Sequence, residues 1–152
     1  MKEKRLIPHK LSKDFAVPFL RECGDTSDEE LQEWWSELLT SAIKDDAYCH
    51  VSFVHTLKLL NTRDAVFIYT LLQYGPFDKK ERSKMIAKHS KITVEQAQIS
   101  YYNLESLGFF TPTGKRLKGY AVEFIKACCG NIELVSNYKE KEDAIARVVI
   151  VD

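Results

Sequence analysis

The stretch from Thr93 to Cys129 leaves its chain few options. Thr93 and Gln96 have the spacing of a capping box, in which each side chain satisfies a backbone N–H at a helix start. From Val94 onward, Ala97, Tyr101, Leu104 and Leu107 fall on one helical stripe. Gly108 then supplies the left-handed residue that stops the helix, because it has no Cβ to clash at positive φ. Phe109 and Phe110 suit a strand, and Thr111-Pro112-Thr113-Gly114 reverses the chain. A further helix, with Tyr120, Phe124 and Ile125 inward, runs to Gly130. Helix, tight hairpin, helix is the way a winged helix-turn-helix closes.

Upstream, the pattern is helical throughout. Leu6 to Cys23 holds a short helix that Ser12 or Asp14 can cap, with Pro18 tolerable only near its first turn. Gly24-Asp25-Thr26 breaks the chain, and Ser27 with Glu30 repeats the capping-box spacing. Leu31, Trp34, Trp35, Leu38, Leu39, Ala42 and Ile43 then form the most regular amphipathic pattern in the sequence. Asp45-Asp46 ends it, and Val51 to Leu60 makes the next helix. Asn61 or Thr62 caps a helix to about Tyr74 that has almost no polar side, which makes it the expected central helix. Asp78 and Glu81 carry capping-box spacing again and open a basic helix to about His89. After Asn131, Lys139 to Ala146 reads as a helix, and Val148-Val149-Ile150-Val151 as a buried strand or docked terminus. The expected fold is mainly α: N-terminal helices packed on a winged helix-turn-helix domain with a small two-stranded wing. Its divisions fall at residues 1–61 (helical layer), 62–130 (winged helix-like domain) and 131–152 (tail).

Charge narrows the function classes. The 22 basic and 22 acidic residues cancel, so nothing biases the whole chain toward nucleic acid or membrane. The signs are nevertheless segregated: acidic residues crowd Asp25 to Asp46, and Lys79, Lys80, Arg82, Lys84, Lys88 and Lys91 crowd the segment from Lys79 to Lys91. No apolar run approaches the roughly 20 residues of a membrane-spanning helix. Lys2-Glu3-Lys4-Arg5 is followed by no apolar core, so no signal peptide is expected. Cys23, Cys49, Cys128 and Cys129 have no framework spacing and are expected to be reduced thiols in the cytoplasm.

Asp28 to Ile43, His50-Val51-Ser52-Phe53-Val54, Leu57-Lys58-Leu59-Leu60, Asn103 to Phe109 and Thr111-Pro112-Thr113-Gly114 together resemble the abortive-infection alpha family, over roughly Leu6 to Cys129. That family groups bacterial proteins described as phage-defence factors, so the resemblance implies a part in phage defence. Its matching positions are packing and turn residues, and it therefore carries over no catalytic residue.

The residues themselves point to binding rather than catalysis. No glycine-rich phosphate loop or nucleophile elbow is present, and no Cys-x-x-Cys or His-x-x-x-His pair offers a metal site. Neither a catalytic activity, a cofactor, a metal nor a small-molecule substrate is expected. A protein partner or self-association is, with Trp34 and Trp35 as candidate anchors, since Trp is favoured at interface hot spots. The alternative is a DNA-binding transcriptional regulator. For it, Lys80, Arg82, Lys84 and Lys88 on the basic helix would grip the phosphate backbone together with Lys115, Arg116 and Lys118 at the wing. The helix that would have to read bases has no Lys or Arg between Thr93 and Leu107. Its expected outer positions are Glu95, Gln96, Gln98, Ser100, Asn103 and Glu105.

Overall fold

The computed structural model describes residues 11–23 and 28–151, with side chains given up to Arg147. Among these, the chain forms eight α-helices and one short 3₁₀ turn, and no strand. The helices are α1 (Lys13–Cys23), α2 (Glu29–Lys44), α3 (Val51–Lys58), α4 (Thr62–Tyr74), α5 (Arg82–His89), α6 (Val94–Ser106), α7 (Gly119–Cys129) and α8 (Ile132–Val151). They divide into two compact units. The first takes the chain to Leu60 and Ala127–Gly130; the second takes Asn61–Lys126 and the chain from Asn131 on.

In the first unit α3 packs against α1 and α2. The regular apolar pattern of α2 buries Leu31, Trp34, Trp35, Leu38 and Ala42. Trp35 meets Phe19 of α1 edge to face, with ring centroids 5.4 Å apart, and Phe19 stacks on Phe15. The helix start falls at Asp28, whose carboxylate accepts the N–H groups of Glu30 and Leu31; the Ser27 half of the expected capping box lies outside the described residues. Asp45 ends α2 and then caps the 3₁₀ turn Asp46–Tyr48 by accepting the Ala47 N–H. Pro18 sits in the second turn of α1 rather than its first, where it withholds the N–H that the Asp14 carbonyl would otherwise receive.

In the second unit α4 is central, packed against α5, α6 and α8. Of the two expected caps Asn61 is the one used, in a full capping box: Asn61 Oδ1 accepts the Asp64 N–H and Asp64 Oδ2 accepts the Asn61 N–H, each at 3.0 Å. Asp64 is fully buried and also accepts a short bond from Asn103 Nδ2 of α6, at 2.6 Å. The Thr93–Gln96 box of α6 forms with both of its hydrogen bonds. That helix ends in a Schellman pair, Gly108 N–H to Glu105 O and Phe109 N–H to Leu104 O, with Gly108 at φ 81°.

Three expectations are corrected. The two-stranded wing does not form: Phe110 and Leu117 make one isolated antiparallel bridge, and no strand flanks it. Two hydrogen bonds close it, Thr111 N–H to Arg116 O and Lys118 N–H to Phe109 O. The reason is length, since only Phe109 and Phe110 stand between the α6 stop and the turn, and both are buried instead of alternating. The basic helix starts late, at Arg82, because Asp78 spends its side chain on the Lys80 N–H and its carbonyl on the Glu81 N–H. Residues 148–151 continue α8 and form no strand; the stripe that seats this helix is Val135, Tyr138 and Glu142, all buried.

Cys128 and Cys129 are buried, whereas Cys23 and Cys49 are partly open. Burial, with the neighbouring Cys129 adding to it, raises the Cys128 thiol well above the ordinary range and keeps it from the reactive thiolate form. A thiol-reactive disulfide reagent should therefore modify Cys23 and Cys49 in the native protein, and Cys128 and Cys129 only once the protein is denatured. Peptide mapping of the labelled sites checks this, and native labelling of Cys128 would contradict the packing described.

Candidate functional site

The residues singled out by sequence do not share one surface. Trp34 is 1% exposed and Trp35 5%, so both indoles build the interior of the first unit. Seven cations were candidates for a nucleic-acid contact, and Arg82 is the sharpest departure among them: it is 2% exposed. Its place in the first turn of α5 points it inward, where Nη1 donates to the Gly114 carbonyl at 2.9 Å. The guanidinium lies 4.9 Å from the Phe110 ring centre and 5.5 Å from that of Tyr101. A buried cation held between ring faces and a carbonyl is a structural clamp on the turn. Arg116 is tied down by Asp143 of α8. Lys80, Lys84, Lys88, Lys115 and Lys118 are exposed. With the wing absent and Arg82 internal, the basic surface is smaller than the sequence suggests.

Helix α6 presents a different outer face from the one expected. Ser100 is buried and Asn103 is drawn inward to Asp64. Ile99 and Tyr102 point out instead, at 65% and 71% exposure, one helical turn apart. Glu95, Gln98 and Glu105 are exposed alongside them, so the face is apolar and acidic with no cation. Sequence reasoning passed over these two residues because apolar positions were assigned to the core. The available signal was that Ile99 and Tyr102 lie off the Ala97–Tyr101–Leu104 stripe.

The second unit also carries a pocket of about 520 Å³ that is open to solvent. One wall comes from the α4–α5 connection, with Pro76 and Phe77; the facing wall comes from α8, with Ile145 and Ala146. Asp78, Lys79, Lys115 and Arg116 border it. So does Glu142, which is 3% exposed and whose Oε2 accepts the Leu117 N–H at 3.1 Å. Beside Glu142, Tyr138 is buried, and desolvation followed by the Glu142 charge pushes its hydroxyl far above the ordinary range, so it stays neutral. This site was invisible from sequence because residues 139–146 and 76–79 come together only through the packing of α8 on α4.

Two histidines have structural surroundings. His50 caps α3, its Nδ1 accepting the Ser52 N–H at 3.2 Å, and the His89 ring stacks on Tyr74 at 4.3 Å. Among the described residues, no three His, Cys, Asp or Glu side chains gather as a metal set, and no helix is long and apolar enough to cross a membrane.

These features define a helical protein whose distinctive parts are surfaces and an open pocket. The chain belongs to the abortive infection alpha family, whose model matches residues 1–143. No curated protein and no solved structure is significantly similar to it.

Replacing Arg82 tests the clamp. Arg82→Ala removes a charged hydrogen bond and two ring contacts, and should lower the unfolding free energy by about 2–4 kcal/mol. Lys80→Ala and Lys84→Ala, both at exposed sites, should each change it by no more than about 0.5 kcal/mol. Urea denaturation followed by circular dichroism measures all three.

Proposed function

We propose that this protein is a non-enzymatic bacterial phage-defence factor that acts through protein–protein contact, with the outer face of α6 as the contact surface. The defence part of this reading rests on family membership. The contact part is carried by one observation: Ile99 and Tyr102 stand exposed together on a rigid, well-capped helix. A large aromatic and a branched aliphatic side chain left in water give a partner apolar area to cover, and Tyr adds a polar tip suited to an interface. Glu95, Gln98 and Glu105 around them would steer a basic or neutral partner and repel a polyanion. That charge pattern supports a protein partner at this helix over DNA. The burial of the Trp34 and Trp35 indoles favours α6 over α2 as the contact surface.

The reading is tested by plating a panel of phages on a bacterial host that expresses the chain. Protection against at least one phage is expected, and Ile99→Asp with Tyr102→Ala should restore plating at least a hundredfold while the melting temperature stays near that of the parent. Lys80→Glu with Lys84→Glu should keep protection. If the α6 variant protects as well as the parent, the α6 face is not the contact surface; if the parent protects against none of the panel, the defence reading fails.

A further inference from the structure

Two surfaces of the second unit have opposite charge and opposite shape. One is the outer face of α6, which is convex. Ile99 and Tyr102 project from it one turn apart, and the exposed Glu95 and Glu105 flank them a turn further on at either end. The Tyr102 ring meets Tyr101 edge to face, with centroids 6.2 Å apart, and Tyr101 is packed in turn against Phe110 at 5.1 Å. The projecting tyrosine is thus braced from behind, and a braced side chain loses less freedom when another surface closes over it.

The other surface is the open pocket, which is concave. Pro76 and Phe77 line one side; Ile145 and Ala146 line the other, with Ile145 exposed to water. The charges around it do not cancel. Arg116 is engaged by Asp143, and the buried Glu142 has the Lys139 ammonium 3.6 Å away, so neither pair presents a net charge. Lys79 and Lys115 then stand against Asp78 alone, all three exposed. Neither lysine has a carboxylate within ion-pair distance among the described residues. Lys79 donates to the Thr113 carbonyl at 3.1 Å, which fixes its ammonium at the rim.

We infer that the outer face of α6 on one copy of this chain seats in the pocket of a second copy. Ile99 and Tyr102 enter between the Phe77 and Ile145 walls, with Glu95 and Glu105 turned toward Lys79 and Lys115. This choice of partner rests on the reading of α6 as a contact surface. What favours a second copy is complementarity: the chain whose α6 is apolar and acidic is also the chain whose pocket is apolar and basic. Each surface alone leaves apolar area in water, and joined they cover it. The opposite rim charges set the orientation of the contact more than its strength. The contact pairs unlike patches, so two copies damaged in different patches still hold one intact contact between them. It is small, and association is therefore weak and concentration-dependent.

Sedimentation equilibrium of the full chain, from micromolar to near-millimolar protein at low and physiological salt, tests this. The mass should rise above that of the monomer with concentration, and less so at the higher salt. Ile99→Asp with Tyr102→Ala should weaken association at least tenfold, and so should Lys79→Glu with Lys115→Glu. Ile145→Arg, at an exposed position, is a second pocket variant should Lys79→Glu loosen the turn. Mixing the α6 variant with a pocket variant should restore a one-to-one dimer. Adding Glu95→Lys and Glu105→Lys to the lysine pair should restore association within one chain. The inference is overturned if the parent stays monomeric at near-millimolar concentration in low salt, if both pocket variants associate as the parent does, or if neither the mixture nor the charge exchange restores association. Phage plating of the same variants keeps the two readings apart. A monomeric parent whose α6 variant loses protection overturns the second-copy inference and leaves α6 with a different protein as its partner. A self-associating parent whose α6 variant keeps protection overturns the proposed role of α6 in defence and leaves the association standing.

Discussion

A guanidinium taken out of water has to be met by other groups at fixed places, and the turn of the second unit is arranged around meeting it. Arg82 reaches from the first turn of α5 to the Gly114 carbonyl and lies across Phe110 and Tyr101. Lys79 draws in the adjacent Thr113 carbonyl, and Glu142 takes the Leu117 N–H from the other side. Side chains thus occupy the backbone groups that a third strand would need, and the turn is held without a sheet. The single bridge between Phe110 and Leu117 is what remains of the expected wing.

Among the described residues Asp64, Arg82 and Glu142 are the buried ionic residues of this unit, and none makes an ion pair with either of the others. Each is tied instead to backbone at an irregular place: Asp64 to the start of α4, Arg82 to the turn at Gly114, Glu142 to the residue that leaves that turn. Taking a charge out of water is costly, and one hydrogen bond recovers only part of that cost. What the arrangement gives is position. Apolar side chains are tolerant of small slips, whereas a buried carboxylate or guanidinium displaced from its partner loses nearly all of its compensation. The helices are therefore packed by apolar stripes but registered by these three groups.

Legibility in the sequence follows the same division. Local devices were readable: the Asn61 cap, the Thr93 box and the Gly108 stop depend on residues within a few positions of each other, and each forms. The apolar period of α2 was readable for the same reason. What could not be read were charges whose partners lie far along the chain. Arg82 looked like one cation in a solvated basic helix because Gly114, 32 residues away, gives no local sign of accepting it. The four apolar residues 148–151 read as a strand on composition alone, while the spacing of Val135, Tyr138 and Glu142 already carried the period of a helix. Family membership was legible because turns and packing stripes identify a family, and for the same reason it brought no chemistry with it.

The cations show most clearly how folding redistributes a sequence-level signal. Seven basic residues that read as one prospective phosphate grip separate into three roles. Arg82 becomes interior, Arg116 is neutralised by Asp143, and Lys80, Lys84, Lys88, Lys115 and Lys118 stay in water. Electrostatic attraction to a polyanion grows with the number of cations that can reach phosphates together, so removing two of seven weakens it out of proportion to their number.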